Sequence, residues 1–343
     1  MINLKGLATG IGSLPLTDAQ TAVDLVLRYL PGLPFWPQLP KRDFREGMLV
    51  QFSENLPGLK VNGGGLVFTA KDKEKELELF YDRFLAHDLE YFKISPDFAA
   101  GLAAFYQRLS SLDLSGVKFI KCQVTGPFTF CSGISDAQGR NILHDDVLRQ
   151  AMVKGLSMKA LWQLEYFKKF GKEIIMFFDE PYLTGVGSAY TPVNRSEVIE
   201  VYSELADTLK SQGSLIGIHC CGNTDWSMLM DSGIDIINFD AFNFQERFVL
   251  YAENLSHFLK QGGIICWGIV PTREFKAEQN PEFLVQRIKS GLDILVKKGV
   301  NRQLLLERLL ISPACGLGTL DPQKAAGILN LLDQTSLFIR ENL

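Results

Sequence analysis

A histidine and two adjacent cysteines close one of the apolar runs of the chain. The stretch LIGIHCCGNTD, residues 215–225, reads as a buried strand that ends at His219, Cys220 and Cys221. Alternate residues of a strand face the same way, so His219 and Cys221 share one face and Cys220 faces the other. A later apolar run ends at Cys315. If the ends of these two runs meet, imidazole and thiolates converge, and together they suit zinc.

The remaining cysteines have a simpler interpretation. Free cysteine is among the most buried residue types, so we expect core positions for four of the six cysteines, namely Cys122, Cys131, Cys220 and Cys266. The chain has no C-x-x-C motif, and a disulfide between adjacent cysteines is strained, so a redox role is not favoured. A cysteine nucleophile activated by histidine remains an alternative, although residues two apart on a strand do not readily bring base and nucleophile into contact.

The elements that must position these side chains are short apolar strands alternating with longer amphipathic helices. Eight apolar runs occur, at residues 7–13, 33–39, 117–125, 173–180, 215–221, 234–240, 264–270 and 308–315. Near-continuous hydrophobic strands alternating with helices are typical of a parallel sheet covered on both faces. Eight of them predict an α/β fold, a single (β/α)8 TIM barrel spanning residues 1–343.

Helical patterns fill the gaps between the apolar runs, at residues 17–30, 71–88, 97–112, 145–170, 195–212, 245–261, 281–298 and 322–341. Asn194 precedes one of them and is expected to cap it. The gap from 41 to 116 is too long for one crossover. We therefore predict extra helices inserted after the second strand, including Asp43–Asn55.

Polar residues end most of the predicted strands. In such barrels the active site lies at the carboxyl ends of the strands, so these residues are candidates for it. Besides the histidine and cysteines, they include Ser13, Gln38, Gln123, Asp179, Glu180, Asn238 and Asp240. Asp240, on the strand after His219, could approach the same metal as a fourth ligand.

Composition argues against nucleic-acid and membrane partners. The net charge is −4, and no cluster of lysine and arginine of the expected length occurs. No uninterrupted apolar run approaches membrane-spanning length. The N-terminus lacks a basic stretch followed by an apolar core, so it does not read as a signal peptide. Six cysteines without such a signal predict a reduced, cytoplasmic setting.

Four short motifs, in this order along the chain, resemble the catalytic barrel of cobalamin-independent methionine synthase. They are IGS at 11–13, DEP at 179–181, H-x-C at 219–221 and PACG at 313–316. HCCGNTD also resembles the H-x-C-G-N stretch of corrinoid-linked zinc thiol methyltransferases, a group that shares the barrel of uroporphyrinogen decarboxylase. The resemblance covers nearly the whole chain and implies a methyltransferase that acts on a small thiol.

The resemblance implies a role for each site residue. His219, Cys221 and Cys315 would bind zinc, and Asp240 stands where the synthases place a glutamate ligand. Ser13, Asp179 and Glu180 would bind the substrate, with the two carboxylates also catalytic. Gln38, which ends the second predicted strand, is a further candidate for substrate binding by its position alone. The amino-acid end of homocysteine would lie there, its ammonium paired with a carboxylate. The product would then be methionine.

One departure from the family bears on the methyl donor. The synthases carry a histidine in the loop after the seventh strand, whereas the stretch WGIVPTREF at 267–275 has none. Removing methyl from a folate nitrogen needs a general acid, but removing it from methylcobalt does not. We therefore expect a methylcorrinoid protein as donor. Glu274 could substitute as an acid, which keeps methylfolate as the alternative.

Two other functions remain open at this point. Within the enzyme class, the acceptor could be coenzyme M or another small thiol. Outside it, the chain could be a non-catalytic barrel of the uroporphyrinogen decarboxylase type. The arginine-rich stretch near the N-terminus that marks the decarboxylase itself is absent from the sequence, and porphyrin decarboxylation has no use for a zinc thiolate.

Overall fold

A computed structural model describes residues 3–63, 65–69, 71–187, 191, 193–276 and 279–343. Nine strands occur within these ranges: β1 (Leu7–Ala8), β2 (Leu59–Asn62), β3 (Gly65–Phe68), β4 (Phe119–Thr125), β5 (Glu173–Asp179), β6 (Leu215–Cys220), β7 (Ile236–Asp240), β8 (Ile264–Val270) and β9 (Leu309–Pro313). Seven of them form one parallel sheet in the order β1-β9-β8-β7-β6-β5-β4. These seven coincide with seven of the eight predicted runs.

The remaining predicted run, residues 33–39, does not form a strand. It makes isolated parallel bridges only, from Gln38 to Ser13 beyond β1 and from Phe35 to Lys121 in β4. The expected eight-stranded barrel is thereby corrected to a seven-stranded sheet, curled so that one short segment bridges both of its edges. Pro34 and Pro37 are the physical reason, because proline lacks the N–H that a continuous ladder of hydrogen bonds needs.

Twelve α-helices lie in the described ranges: α1 (Ala19–Tyr29), α2 (Lys73–Leu85), α3 (Ala100–Leu109), α4 (Pro127–Ser132), α5 (Asp146–Lys168), α6 (Arg195–Lys210), α7 (Trp226–Met230), α8 (Ala241–Phe248), α9 (Ala252–Lys260), α10 (Pro281–Lys297), α11 (Arg302–Glu307) and α12 (Pro322–Asn342). Asn194 caps α6 as expected, in a capping box with Glu197. The helix predicted over 245–261 is interrupted by a 3₁₀ turn at Val249–Tyr251. The short helices α4, α7 and α11 were not predicted.

Residues 41–116 hold a mixture of elements. The β2–β3 hairpin lies there with α2 and α3. The helix predicted at Asp43–Asn55 is wrong, because that stretch forms two 3₁₀ helices, Phe44–Glu46 and Val50–Phe52. Gly47 separates them with an extended backbone (φ −68°, ψ 151°), which ends the first helical turn.

The core has two layers that follow from the alternation along each strand. Residues on one face pack against the surrounding helices in the larger layer. Residues on the other face form a smaller apolar cluster that includes Leu7, Phe119, Ile175, Ile236 and Leu310. Since this cluster lies toward the amino ends of the strands, the polar residues of that face are gathered toward the carboxyl ends.

None of the helices in the described ranges combines the length and the apolar character that crossing a membrane would need.

Candidate metal centre

His219, Cys221 and Cys315 meet at the carboxyl ends of β6 and β9. Their ligating atoms all lie within 4.8 Å of one another, and within the described ranges no other set of three such residues is gathered this way. His219 is the penultimate residue of β6, Cys221 follows that strand directly, and Cys315 lies two residues after β9. The structure therefore brings together the three residues that the sequence proposes as ligands.

The imidazole of His219 is oriented by Asn238 of β7. Its Nδ1 lies 2.5 Å from the side-chain oxygen of Asn238. The amide nitrogen of Asn238 donates to the carbonyl of Cys266 at 2.9 Å and to Ser312 Oγ at 2.8 Å, so its oxygen must face the histidine. This arrangement places the imidazole proton on Nδ1 and leaves a lone pair on Nε2.

The other imidazole nitrogen provides the test of whether these residues fit a metal. Nε2 of His219 is buried and has no hydrogen-bond partner among the residues described. A buried nitrogen without a partner is costly unless a ligand satisfies it. Beside it lie two half-buried thiols, Cys221 and Cys315. One imidazole and two thiolates form the three-ligand set that zinc takes at sites where a further position serves a substrate.

The electrostatics of the cluster favour a thiolate. The proximity of the Cys315 thiol, followed by that of His219, lowers the pKa of Cys221 to about 4. The same closeness to Cys221 raises the pKa of Cys315 well above its usual range. Burial acts to lower the pKa of His219, but its contacts with Cys221 and Asp179 outweigh burial and raise it. A thiolate beside an imidazole is the state that binds a metal.

Asp179 faces this cluster from the neighbouring strand. It is directly opposite His219 in the β5–β6 register. Its Oδ1 is buried and unpartnered within the described part of the chain. Burial raises the pKa of this carboxyl, while His219 and Lys121 act in the opposite direction. A buried carboxylate oxygen without a partner can receive a cation, and a substrate ammonium would fit.

Glu180 is placed differently from Asp179. Its carboxylate accepts hydrogen bonds from the N–H groups of Phe128 (3.0 Å) and Thr129 (2.8 Å), from Thr129 Oγ1 (2.6 Å) and from the Tyr202 hydroxyl (2.7 Å). Burial raises the pKa of Glu180 to about 7. These bonds tie β5 to the start of α4 and to α6, so both carboxylate oxygens already have protein partners.

Asp240 does not join the cluster. Its two carboxylate oxygens accept from the backbone N–H (2.9 Å) and the side-chain amide (2.7 Å) of Asn243, so Asp240 caps the start of α8. Burial raises the pKa of Asp240. The structure thus gives this carboxylate a capping role, where the family resemblance suggested a ligand.

Ser13 and Gln38 lie at the edge where the bridged segment meets β1. Ser13 Oγ accepts from the N–H of Gly318 at 3.1 Å, and Gln38 donates to Gln51 at 2.6 Å. A Cβ on Gly316 would lie 2.5 Å from Ser13 Oγ, so a larger residue after Cys315 would displace this hydroxyl. The IGS and PACG motifs therefore pack against each other beside the metal ligands.

Two residues of the site region were missed at the sequence level. Gln51 supports Gln38, and nothing in its local sequence indicates that contact. Lys121 lies inside the sheet at 2% exposure. A lysine in the middle of the apolar run VKFIKCQVT is a signal that could have pointed to it.

Comparison with known proteins places the chain in a family. Residues 98–335 match the family model described as "Cobalamin-independent synthase, Catalytic domain". No curated protein matches the chain.

Twenty-two solved chains match. One is a candidate sugar phosphate isomerase/epimerase from Anabaena variabilis, with 12% identity over 97% of this chain and 98% of that chain and a TM-score of 0.42. Another is dihydropteroate synthase from Thermus thermophilus, with 12% identity over 75% of this chain and 87% of that chain and a TM-score of 0.26. Similarity of this degree carries no argument about function.

The family match spans the strands that carry both halves of the metal centre and supports an enzyme of the methyltransferase type. This chain belongs to the family of cobalamin-independent synthase catalytic domains.

Proposed function

We propose that the chain is a zinc-dependent methyltransferase that transfers a methyl group to a small thiol, most naturally homocysteine, to give methionine. The observation that carries the proposal is the Nε2 of His219, which is buried beside two convergent thiols and has no partner among the described residues. This donor set is the one expected for zinc that activates a nucleophile.

The chain's own residues would divide the work as follows. His219, Cys221 and Cys315 hold the ion, and Asn238 keeps the imidazole in the tautomer that can bind it. Zinc, when bound, keeps the substrate sulfur deprotonated at neutral pH, where a free thiol with a pKa of about 8.5 is mostly protonated. Asp179 binds the ammonium of the substrate through Oδ1, which no described residue contacts by a hydrogen bond, and so orients the sulfur toward the cluster.

Ser13 and Gln38 would complete the substrate site on the opposite edge. The contact of Ser13 with Gly318 keeps the IGS turn close to Cys315. Glu180 would not bind the substrate directly. Its four hydrogen bonds hold the carboxyl end of β5 in place and so position Asp179. We further propose that residues 1–343 form a single domain, in which the segment 35–38 takes the place that a second strand would occupy between the two edges of the sheet.

The methyl donor in this proposal is a methylcorrinoid protein. The loop 267–275 carries no histidine, and its one carboxylate, Glu274, is exposed to solvent. Transfer from methylcobalt forms the sulfur–carbon bond and breaks the cobalt–carbon bond, with the electron pair left on cobalt. No proton is required, in contrast to transfer from a folate nitrogen.

The first experiment measures zinc in the purified protein. We expect one zinc per chain in the wild type, loss of zinc in His219→Ala, and full retention in the control His257→Ala, which alters an exposed histidine of α9. A wild type without metal would overturn the proposal and favour the non-catalytic barrel.

The second experiment measures methyl transfer by the zinc-loaded protein. Methylcobalamin and methyltetrahydrofolate are compared as donors, and homocysteine and coenzyme M as acceptors. We expect methylcobalamin with homocysteine to give product. Activity with methyltetrahydrofolate and none with methylcobalamin would contradict the donor assignment, and a preference for coenzyme M would contradict the acceptor.

A further inference from the structure

Gln51 is a buried glutamine of the 3₁₀ helix Val50–Phe52, and the proposed function assigns it no role. Its side-chain amide is hydrogen-bonded at both ends. Nε2 of Gln51 donates to the backbone carbonyl of Phe98 at 2.7 Å, and Oε1 accepts from Nε2 of Gln38 at 2.6 Å. The side chain of Gln38 is buried as well, at 7% exposure for the residue, so two buried amides are linked in series.

The carbonyl of Phe98 fixes the direction of both amides. A carbonyl can only accept a hydrogen bond, so Gln51 must turn its NH₂ group toward it. The oxygen of Gln51 then faces Gln38, which must donate from its own NH₂ group. Reversing either amide, or both, would place two oxygens against each other in a buried region and lose a hydrogen bond. The oxygen of Gln38 is therefore the end that remains for a ligand.

This oxygen lies over the IGS turn. A Cβ on Gly12 would lie 2.4 Å from Oε1 of Gln38, so the oxygen approaches the turn closely where glycine has no side chain. The backbone N–H of Gln38 donates to the Gly12 carbonyl at 3.0 Å, and the N–H of Leu14 donates to the Gln38 carbonyl at 2.9 Å. No described residue donates a hydrogen bond to Oε1. A buried amide oxygen that lacks a donor can receive one from a ligand.

Direct contacts join the IGS turn to the proposed metal centre. The carbonyl of Ser13 accepts from the N–H of Leu317 at 3.0 Å, and Ser13 Oγ accepts from the N–H of Gly318 at 3.1 Å. Both donors lie in the turn that directly follows Cys315. The oxygen of Gln38 and the segment after Cys315 therefore border the same turn.

The fixed direction of Gln38 matters for the charge of a ligand. A freely turning amide does not select that charge, because its NH₂ group suits a carboxylate as well as its oxygen suits an ammonium. The bond to Gln51 turns the NH₂ group of Gln38 away from the IGS turn. The oxygen presented there attracts the N–H groups of an ammonium and repels the oxygens of a carboxylate.

We infer that Gln51 is a positioning residue that makes Gln38 a specificity determinant, so that the site favours thiols with an ammonium over thiols with only a carboxylate. The inference rests on the proposed function, because the centre at Cys315 must hold the thiol. It adds to that function a buried residue that acts through the direction of one amide.

The test compares two thiols that each carry one half of the amino-acid end of homocysteine. The first, 3-aminopropanethiol, has the ammonium without the carboxylate. The second, 4-mercaptobutanoate, has the carboxylate without the ammonium. Calorimetry on the zinc-loaded protein gives the affinity for each thiol, and the quantity compared between variants is the ratio of the two affinities. The zinc content of every variant is measured in parallel.

Three variants separate the direction of the amide from its packing. Gln51→Met removes both hydrogen-bonding ends at nearly constant volume. Gln51→Glu keeps an acceptor facing Gln38 and so preserves the direction of that amide. The double variant, Gln51→Met with Gln38→Glu, presents an oxygen whichever way the side chain turns. Gln245→Met is the matched control, because Gln245 is also a buried glutamine, at 8% exposure, but lies on α8.

We expect the wild type and Gln245→Met to bind 3-aminopropanethiol more tightly than 4-mercaptobutanoate. The ratio of the two affinities should fall about tenfold in Gln51→Met, because Gln38 is then free to turn its NH₂ group toward the carboxylate. The ratio should stay at or above the wild-type value in Gln51→Glu and recover in the double variant. Zinc content should be the same in all of them.

An unchanged ratio in folded Gln51→Met would overturn the inference alone. So would an equal loss of affinity for both thiols, loss of zinc from Gln51→Met, or failure of Gln51→Met to fold while Gln245→Met folds, because each indicates a structural role. A wild type that binds zinc and homocysteine but prefers neither test thiol also removes only the role of Gln51. A wild type that binds no zinc, or binds zinc but no thiol, overturns the proposed function as well.

Discussion

His219 and Asn238 are directly opposite each other in the parallel register of β6 and β7, and their side chains are hydrogen-bonded at 2.5 Å. The amide of Asn238 is itself held by the Cys266 carbonyl and Ser312 Oγ. A chain of hydrogen bonds across four strands thus orients the imidazole so that the lone pair of Nε2 lies on the side of the thiols. The centre is organised by the sheet before any ligand binds.

This relationship predicts that Asn238→Ala weakens zinc binding by about 10–100-fold, because partners that orient a metal-binding histidine have effects of that size. Asn238→Asp should retain most of the affinity, since a carboxylate also accepts the Nδ1 proton. The measurement is competition with a chelator of known affinity. Equal affinities in Asn238→Ala and the wild type would show that the bond to Asn238 does not matter for the metal.

The Oδ1 of Asp179, which has no hydrogen-bond partner in the described part of the chain, leads to a prediction about the acceptor. Asp179→Asn should weaken binding of homocysteine by about 10–100-fold, the equivalent of a lost charge-assisted hydrogen bond of about 1.5–3 kcal/mol. Binding of 2-mercaptoethanol, which has no amino group, should change little, and the zinc content should stay the same. Calorimetry on the zinc-loaded proteins provides the comparison, and an equal loss for both thiols would refute a role in ammonium recognition.

The capping bonds of Asp240 lead to a prediction that separates stability from metal binding. Asp240→Ala should lower the free energy of unfolding by about 1 kcal/mol through loss of the helix cap. Zinc should remain bound at one per chain. Asp240→Asn is the control, because asparagine is an equally good cap. If Asp240→Ala and Asp240→Asn both lose zinc, Asp240 is a ligand after all.

We predict that removing the buried charge of Lys159 raises the free energy of unfolding. Burial lowers its pKa from 10.5 to about 8, and its side chain is fully buried. That difference corresponds to a cost of about 3 kcal/mol at neutral pH, so Lys159→Met should raise the free energy of unfolding by up to about that amount. Urea denaturation at pH 7 measures it.

The lowered pKa of Lys159 also predicts how the stability of the wild type changes with pH. Between about pH 8 and 10.5 the folded chain has released the Lys159 proton while the unfolded chain still binds it. Stability of the wild type relative to Lys159→Met therefore rises with pH over this window. The difference in the free energy of unfolding between Lys159→Met and the wild type should be largest at about pH 7 and small at about pH 10. If this difference in the free energy of unfolding does not change with pH, the buried charge of Lys159 is not its cause.

Several parts of the site could be predicted because they depend on local geometry. His219 and Cys221 share a face of β6, as the two-residue period of a strand requires, and Cys220 is buried on the other face. The seven parallel strands followed from apolar runs whose length and spacing are visible in the chain. The four cysteines expected in the core are buried there.

Other parts depended on contacts between distant segments. Asp179 is the last residue of β5 and Glu180 follows it directly, yet one oxygen of Asp179 has no partner among the described residues and Glu180 is hydrogen-bonded to α4 and α6. The unexpected helix α4, which starts at Pro127, makes that difference. Asp240 similarly became a cap because a helix begins immediately after β7.

Sequence alone determined which side chains point to the same side of each strand, because that alternation is a property of the extended backbone. It also determined the types of ligand atom available and hence the preference for zinc. Only the tertiary structure decided that the carboxyl ends of β6 and β9 meet and that Asn238 presents its oxygen to His219. Curvature of the sheet and the packing of helices outside it result from the sum of many contacts across the chain, and no single stretch of residues encodes them.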